Sequence, residues 1–198
     1  MTTSFEYCYQ AIGEWAVAHG IQVREEALPP GKAGEFDGIL VRMNRAYDAE
    51  ERSYYLAHAL GSIILWSLNK TDVAQLFIDL RDAKTEKAIN PIRFEAALGR
   101  YRDFEIAASE LAVSLLNQLG QCDKVPRYTN FMWADLGAMT EFHRTDTAPV
   151  WSTFLERWNS DVASGRRQVM PFGPKAIPPF QPLHIERQEI LQRQPSDP

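Results

Sequence analysis

Cysteine is scarce in this chain: Cys8 and Cys122 are the only two in 198 residues. They lie far apart, in no metal-ligand spacing, so a disulfide framework and a zinc ribbon are excluded and a reducing compartment, by default the cytoplasm, is expected. Long apolar runs are absent too. The most apolar stretch, residues 56–68, is interrupted by His58, Ser62 and Ser67 and falls short of the ~20 residues a bilayer span needs. Excess positive charge is lacking, since 21 Lys and Arg face 26 Asp and Glu for a net charge of -5. Broad electrostatic binding to nucleic acid or anionic lipid is therefore not expected. The sequence contains no Gly-rich phosphate loop, no nucleophile elbow and no internal repeat.

What the chain does have is the composition of an average globular protein, with 45% hydrophobic and 24% charged residues. A chain of this size closes a core without staples. The periodicity predicts a first helix, with Thr3 and Glu6 at capping-box spacing, Phe5, Cys8, Ile12, Trp15 and Ala16 at helical intervals, and Gly20 at the exit. Two short strands are expected around Val23 and over residues 38–44, separated by a Pro/Gly-rich turn. Asp48, Glu50 and Glu51 open a long helix to about Leu68. Further helices are expected over residues 72–83, 93–119, 128–142 and 150–162, with a loop through Asn90 and Pro91. Beyond Ser164 lie seven of the twelve prolines, interleaved with Val169, Met170, Phe172, Ile177, Phe180, Leu183 and Ile185. That segment is expected to dock in extended form, on its own domain or on a second subunit.

One segment carries chemical information. Leu56-Ala57-His58-Ala59-Leu60-Gly61-Ser62 has the spacing of the zincin helix H-E-x-x-H, in which two His one turn apart hold zinc and the Glu activates water. Here His58 stands at the first ligand position, Ala59 at the general-base position and Ser62 at the second ligand position. Ahead of it run Val41-Arg42-Met43-Asn44 and Arg52-Ser53-Tyr54-Tyr55; downstream Glu105, Ala108, Leu111, Ala112, Leu115 and Leu116 recur at helical intervals. In these segments the chain resembles the ImmA/IrrE family of metallopeptidase-like proteins, whose Arg-Phe-Thr-Leu-Ala-His-Glu-Leu-Gly-His helix follows a short strand ending in Asn. The family's third metal ligand is a Glu, matched by Glu105. After Leu116 the family often continues with Met-Pro, where this chain has Asn117-Gln118.

The resemblance implies an α+β, mainly helical fold: a zincin-like metallopeptidase domain over residues 1–120 with a small N-terminal sheet. Additional C-terminal helices over residues 121–164 pack on it, and a Pro-rich extended tail occupies 165–198. It implies a vestigial site of His58, Ala59, Ser62 and Glu105, because a catalytic zinc keeps three protein ligands and His58 and Glu105 supply two. A neutral serine hydroxyl is a poor replacement for imidazole, and Ala59 cannot take a proton. No cofactor is expected, and the reading is a pseudoenzyme acting as a regulatory or protein-interaction module. By family analogy its partner is a protein, such as a helix-turn-helix regulator, in a bacterial or phage setting; no direct nucleic-acid or membrane contact is expected, and the tail offers a route to homo-oligomers. The alternative is an active, zinc-dependent hydrolase in which His58, Glu105 and a third ligand, with His19, His143 or His184 as candidates, bind the metal. Without any metal role, His58 is an interior histidine at a helix crossing and Glu105 a surface carboxylate or its ion-pair partner. Arg166 and Arg167 are read as a weak phosphate contact or plain solvated charge, and the aromatics of residues 128–133, 151 and 158 as core or a recognition surface.

Overall fold

In the computed structural model, which describes residues 4–29 and 31–185, the chain is mainly helical with one small sheet, an α+β arrangement. Helix α1 (Phe5–Ala18) is capped by Ser4, whose hydroxyl accepts from the Tyr7 amide at 3.2 Å. The cap is thus Ser4; Thr3 lies outside the described residues. Cys8, Ile12 and Ala16 form the buried stripe, and Gly20, at φ 81°, turns the chain into β1.

The sheet has three strands, ordered β1-β3-β2. Strand β1 (Gln22–Glu26) runs parallel to β3 (Leu40–Asn44), and β2 (Gly34–Phe36) pairs antiparallel on its other side. Two strands were expected; β2 is the addition, legible only through Phe36, because three residues are too few to show alternation. On β3, Val41 and Met43 face the helices. On the opposite face Arg42 lies within 3.8 Å of Glu26 and Asp37 and 3.4 Å from Glu35, which offsets its register neighbour Arg24. Buried Asn44 ends the strand by donating to the carbonyls of Lys32 at 2.8 Å and Leu28 at 3.3 Å, tying the preceding loop down.

Helix α2 (Ala49–Leu68) begins at Asp48, whose carboxylate accepts from the Glu51 amide at 2.9 Å. It is the central element, packed against α1 and the sheet on one side and against α3 (Lys70–Thr85), α4 (Pro91–Gln118) and α5 (Val125–Thr145) on the other. Asn90 and Pro91, expected in a loop, start α4: Asn90 caps it by accepting from the Arg93 amide, and proline suits the first turn, where no amide partner is needed. Helix α6 (Trp151–Ala163) packs on α5 through Phe154 and Trp158. The aromatics Tyr128 and Phe131 are core, in ring contact with Tyr54 at 5.7 and 5.3 Å.

The last described segment turns at residues 164–167, runs on to 185 without helix or strand, and lies along the same chain. Trp133 donates its indole N–H to the Met170 carbonyl at 2.7 Å and stacks on Phe172 at 5.1 Å. Phe180 stacks near Trp15 and His19, Lys175 pairs with Glu110 at 2.5 Å, and the Ile185 amide donates to the Asp37 carbonyl at 2.7 Å. Phe172 and Ile185 are buried. Among the described residues no helix is long and apolar enough to cross a membrane, and both cysteines are free thiols.

Candidate functional site

The crossing of α2 and α4 positions the site. At Gly61 a Cβ would stand 2.1 Å from the Ala108 carbonyl oxygen, so only glycine lets the two backbones come this close. His58 lies three residues before Gly61 and Glu105 three before Ala108, which puts both side chains one turn from the contact, facing each other. The result is a hydrogen bond of 2.7 Å between His58 Nε2 and Glu105 Oε2, with the side chains 12% and 13% exposed. On the other edge of the ring, His58 Nδ1 lies 3.3 Å from the Ser109 hydroxyl, which itself donates to the Glu105 carbonyl at 2.9 Å. Both ring nitrogens and the hydroxyl therefore have partners, and the imidazole is held in one orientation.

The other two positions of the motif spacing, Ala59 and Ser62, offer no metal ligand or base. Ala59 is partly buried and packs on the core. Ser62 is fully buried, and its hydroxyl has no hydrogen-bond partner among the described residues. Of the further histidines, His19 stacks on Trp15 with ring centroids 3.8 Å apart and Nδ1 2.8 Å from the Trp15 carbonyl, and His184 is exposed in the tail. His143 is buried on α5 against Tyr101, with centroids 5.1 Å apart. Burial and the nearby Lys84 push it down to about 4, so it is neutral at pH 7.

The residue that sequence reasoning missed is Asp135. It projects from α5 into a small cavity shared with Glu105, Ser109, Tyr101 and Met132. Burial raises its carboxyl to about 6, assisted by the Glu105 charge and opposed by His58 and by a hydrogen bond from Tyr55. A signal was present: Asp135 lies on the same stripe as Tyr128, Phe131, Met132 and Phe142, so a helix-periodic core face carries one acid. The cavity is about 10 Å³, room for about one water molecule, so α5 closes over the His58–Glu105 pair.

The zinc that the resemblance brings with it does not fit this donor set. Two ligands of one tetrahedral zinc stand ~3.3 Å apart at Zn–N and Zn–O distances of ~2.0 Å, whereas His58 Nε2 and Glu105 Oε2 are 2.7 Å apart and bonded to each other. Among the described residues no group of three or more His, Cys, Asp or Glu side chains is placed to hold a metal. Compared with known protein families, curated proteins and solved structures, the chain matches none.

Proposed function

We propose that this protein is a zincin-like pseudoenzyme, a regulatory or protein-interaction module built on a metallopeptidase scaffold. The observation that carries the reading is the His58–Glu105 hydrogen bond across the Gly61–Ala108 crossing, with Ala59 and Ser62 at the base and second-ligand positions. The ligand-bearing helices keep a close crossing, while the ligand atoms that remain satisfy each other. Loss of the base alone typically costs about 100- to 10,000-fold in rate, and the described cavity beside Glu105 holds only about 10 Å³. The partner proposed by family analogy is a helix-turn-helix regulator.

The competing reading, an active metal-dependent hydrolase, would need a rearrangement that brings in a third ligand, for which Asp135, lining the same small cavity as Glu105, is a candidate. Metal content separates the two. The purified protein is expected to hold substoichiometric zinc, and one tightly held equivalent lost in His58→Ala or Asp135→Asn would favour the hydrolase. The pseudoenzyme reading also predicts that Ala59→Glu with Ser62→His, which restores two His and a Glu with Glu105 opposite, gains zinc affinity in equilibrium dialysis. A folded double variant that takes up no more zinc than the parent would show that the crossing is not a zincin site at all.

A further inference from the structure

Away from the α2–α4 crossing lies an open groove of about 530 Å³ between α5, α6 and the start of the tail, with Arg102 of α4 at one side. Its floor is Gly137, where a Cβ would press on Trp158 at 3.0 Å and Phe154 at 3.2 Å. Four guanidinium groups line it, those of Arg102, Arg144, Arg157 and Arg167, against the two carboxylates of Glu141 and Asp161. In a chain of net charge -5 this is a local reversal of sign.

The four arginines are not equally engaged. Arg144 pairs with Glu95 at 2.7 Å and Arg157 with Glu141 at 3.0 Å. Neither Arg102 nor Arg167 forms an ion pair within 4.0 Å among the described residues; Arg102 lies in the field of Glu95, which already pairs with Arg144, and the Arg167 guanidinium carbon sits 4.1 Å from the Trp158 ring centroid, which holds it at the groove wall. A guanidinium packed on an aromatic ring, with no carboxylate paired to it, suits bidentate binding of a carboxylate. The aromatic rings do not offer a base-stacking face: Trp158 and Phe154 are 5% and 7% exposed, and Trp133 is stacked on Phe172. Nor does any Gly-rich loop supply amides for a polyphosphate.

We propose that this groove is a binding site for an acidic peptide segment of a partner protein, with Arg102 and Arg167 as its carboxylate-recognising residues. The site lies on α4, α5, α6 and the tail, and is independent of what occupies the His58 region. Its size is that of ordinary ligand pockets, and residues from α5, α6 and the tail line it.

The test is fluorescence anisotropy of the full chain with a fluorescein-labelled hexaglutamate peptide, its hexaglutamine counterpart and unlabelled ATP as competitor. Hexaglutamate is expected to bind at low salt, at least about tenfold more tightly than hexaglutamine, with affinity falling as salt rises. Arg102→Gln and Arg167→Gln should each weaken binding about fivefold or more, whereas Arg24→Gln on the exposed face of β1 should leave it unchanged. Should Arg167→Gln melt early, the exposed Arg102→Gln decides the matter alone. The proposal is overturned if hexaglutamate does not bind, if Arg24→Gln costs as much as Arg102→Gln, which would mean diffuse charge attraction, or if ATP binds the groove more tightly than the peptide.

Discussion

Gly61 acts by what it leaves out. Any side chain there would collide with the Ala108 backbone, which cannot move without shifting the whole of α4. Gly61→Ala is therefore expected to destabilise the fold by about 3 kcal/mol and to pull His58 away from Glu105, read as a lowered urea midpoint. An alanine variant with unchanged midpoint would mean that the helices cross elsewhere. His143 gives a second residue-scale expectation. Its folded-state value is lowered from 6.5 to about 4 by burial first and Lys84 next, with Glu105 and Asp146 opposing and Lys87 adding to the fall. Between those limits the unfolded chain binds a proton that the folded one refuses, so stability present above pH 6.5 is lost as pH falls toward 4. His143→Phe keeps the ring against Tyr101 and removes the titration. The variant should lose roughly 2 kcal/mol less than the parent between pH 7 and pH 4.5 in urea titrations; equal losses would place the acid sensitivity elsewhere.

At the scale of elements, α2 depends on its first turn. Asp48 satisfies the Glu51 amide, and its charge lies at the positive end of the helix that carries His58. Asp48→Ala is expected to cost about 1 kcal/mol, and Asp48→Ser much less, by thermal melt. If both substitutions cost the same, the charge rather than the cap hydrogen bond is what matters. Most helices were legible because their apolar residues recur over many turns, as in α4, where Phe94, Leu98, Tyr101, Phe104, Ala108 and Leu111 are all buried. Their ends were less so: Asn90 and Pro91 read equally as a turn or as a cap followed by a first-turn proline, and the choice depends on what the next residues pack against. Helix α5 was expected, but its role was not. Nothing in its own periodicity says that the stripe holding Asp135 lies over the α2–α4 crossing, since that is a matter of where a helix docks.

For the whole molecule the tail is the informative piece. Its prolines lower the entropy lost on docking, and Phe172 and Ile185 supply the apolar contact. At Gly38, φ 87°, a Cβ would fall 1.8 Å from the Leu183 carbonyl, so the turn before β3 is shaped to the tail that crosses it. Truncation before Gly165 should expose the surface around Trp15, Tyr128 and Trp133, lowering the melting temperature by several degrees and reducing solubility. In the intact chain the Ile185 amide, bonded to Asp37, should exchange slowly. Unchanged melting after truncation, together with fast exchange at Ile185, would rule out a structural role for the tail.

The sequence by itself determined the helical class, the buried stripes, the helix ends at Asp48 and Gly20, and the presence of His58 and Glu105 with Ala59 and Ser62 at the neighbouring motif positions. These are local matters, written in periodicity and in which functional groups a side chain carries. Only the tertiary structure decided that His58 and Glu105 satisfy each other, that Ser62 is sealed in with no hydrogen-bond partner among the described residues, that Asp135 joins them, and that the tail up to residue 185 lies on its own chain. Each depends on the approach of segments remote in sequence, and that approach is set by where the smallest side chains allow backbones to meet, as Gly61 does at Ala108.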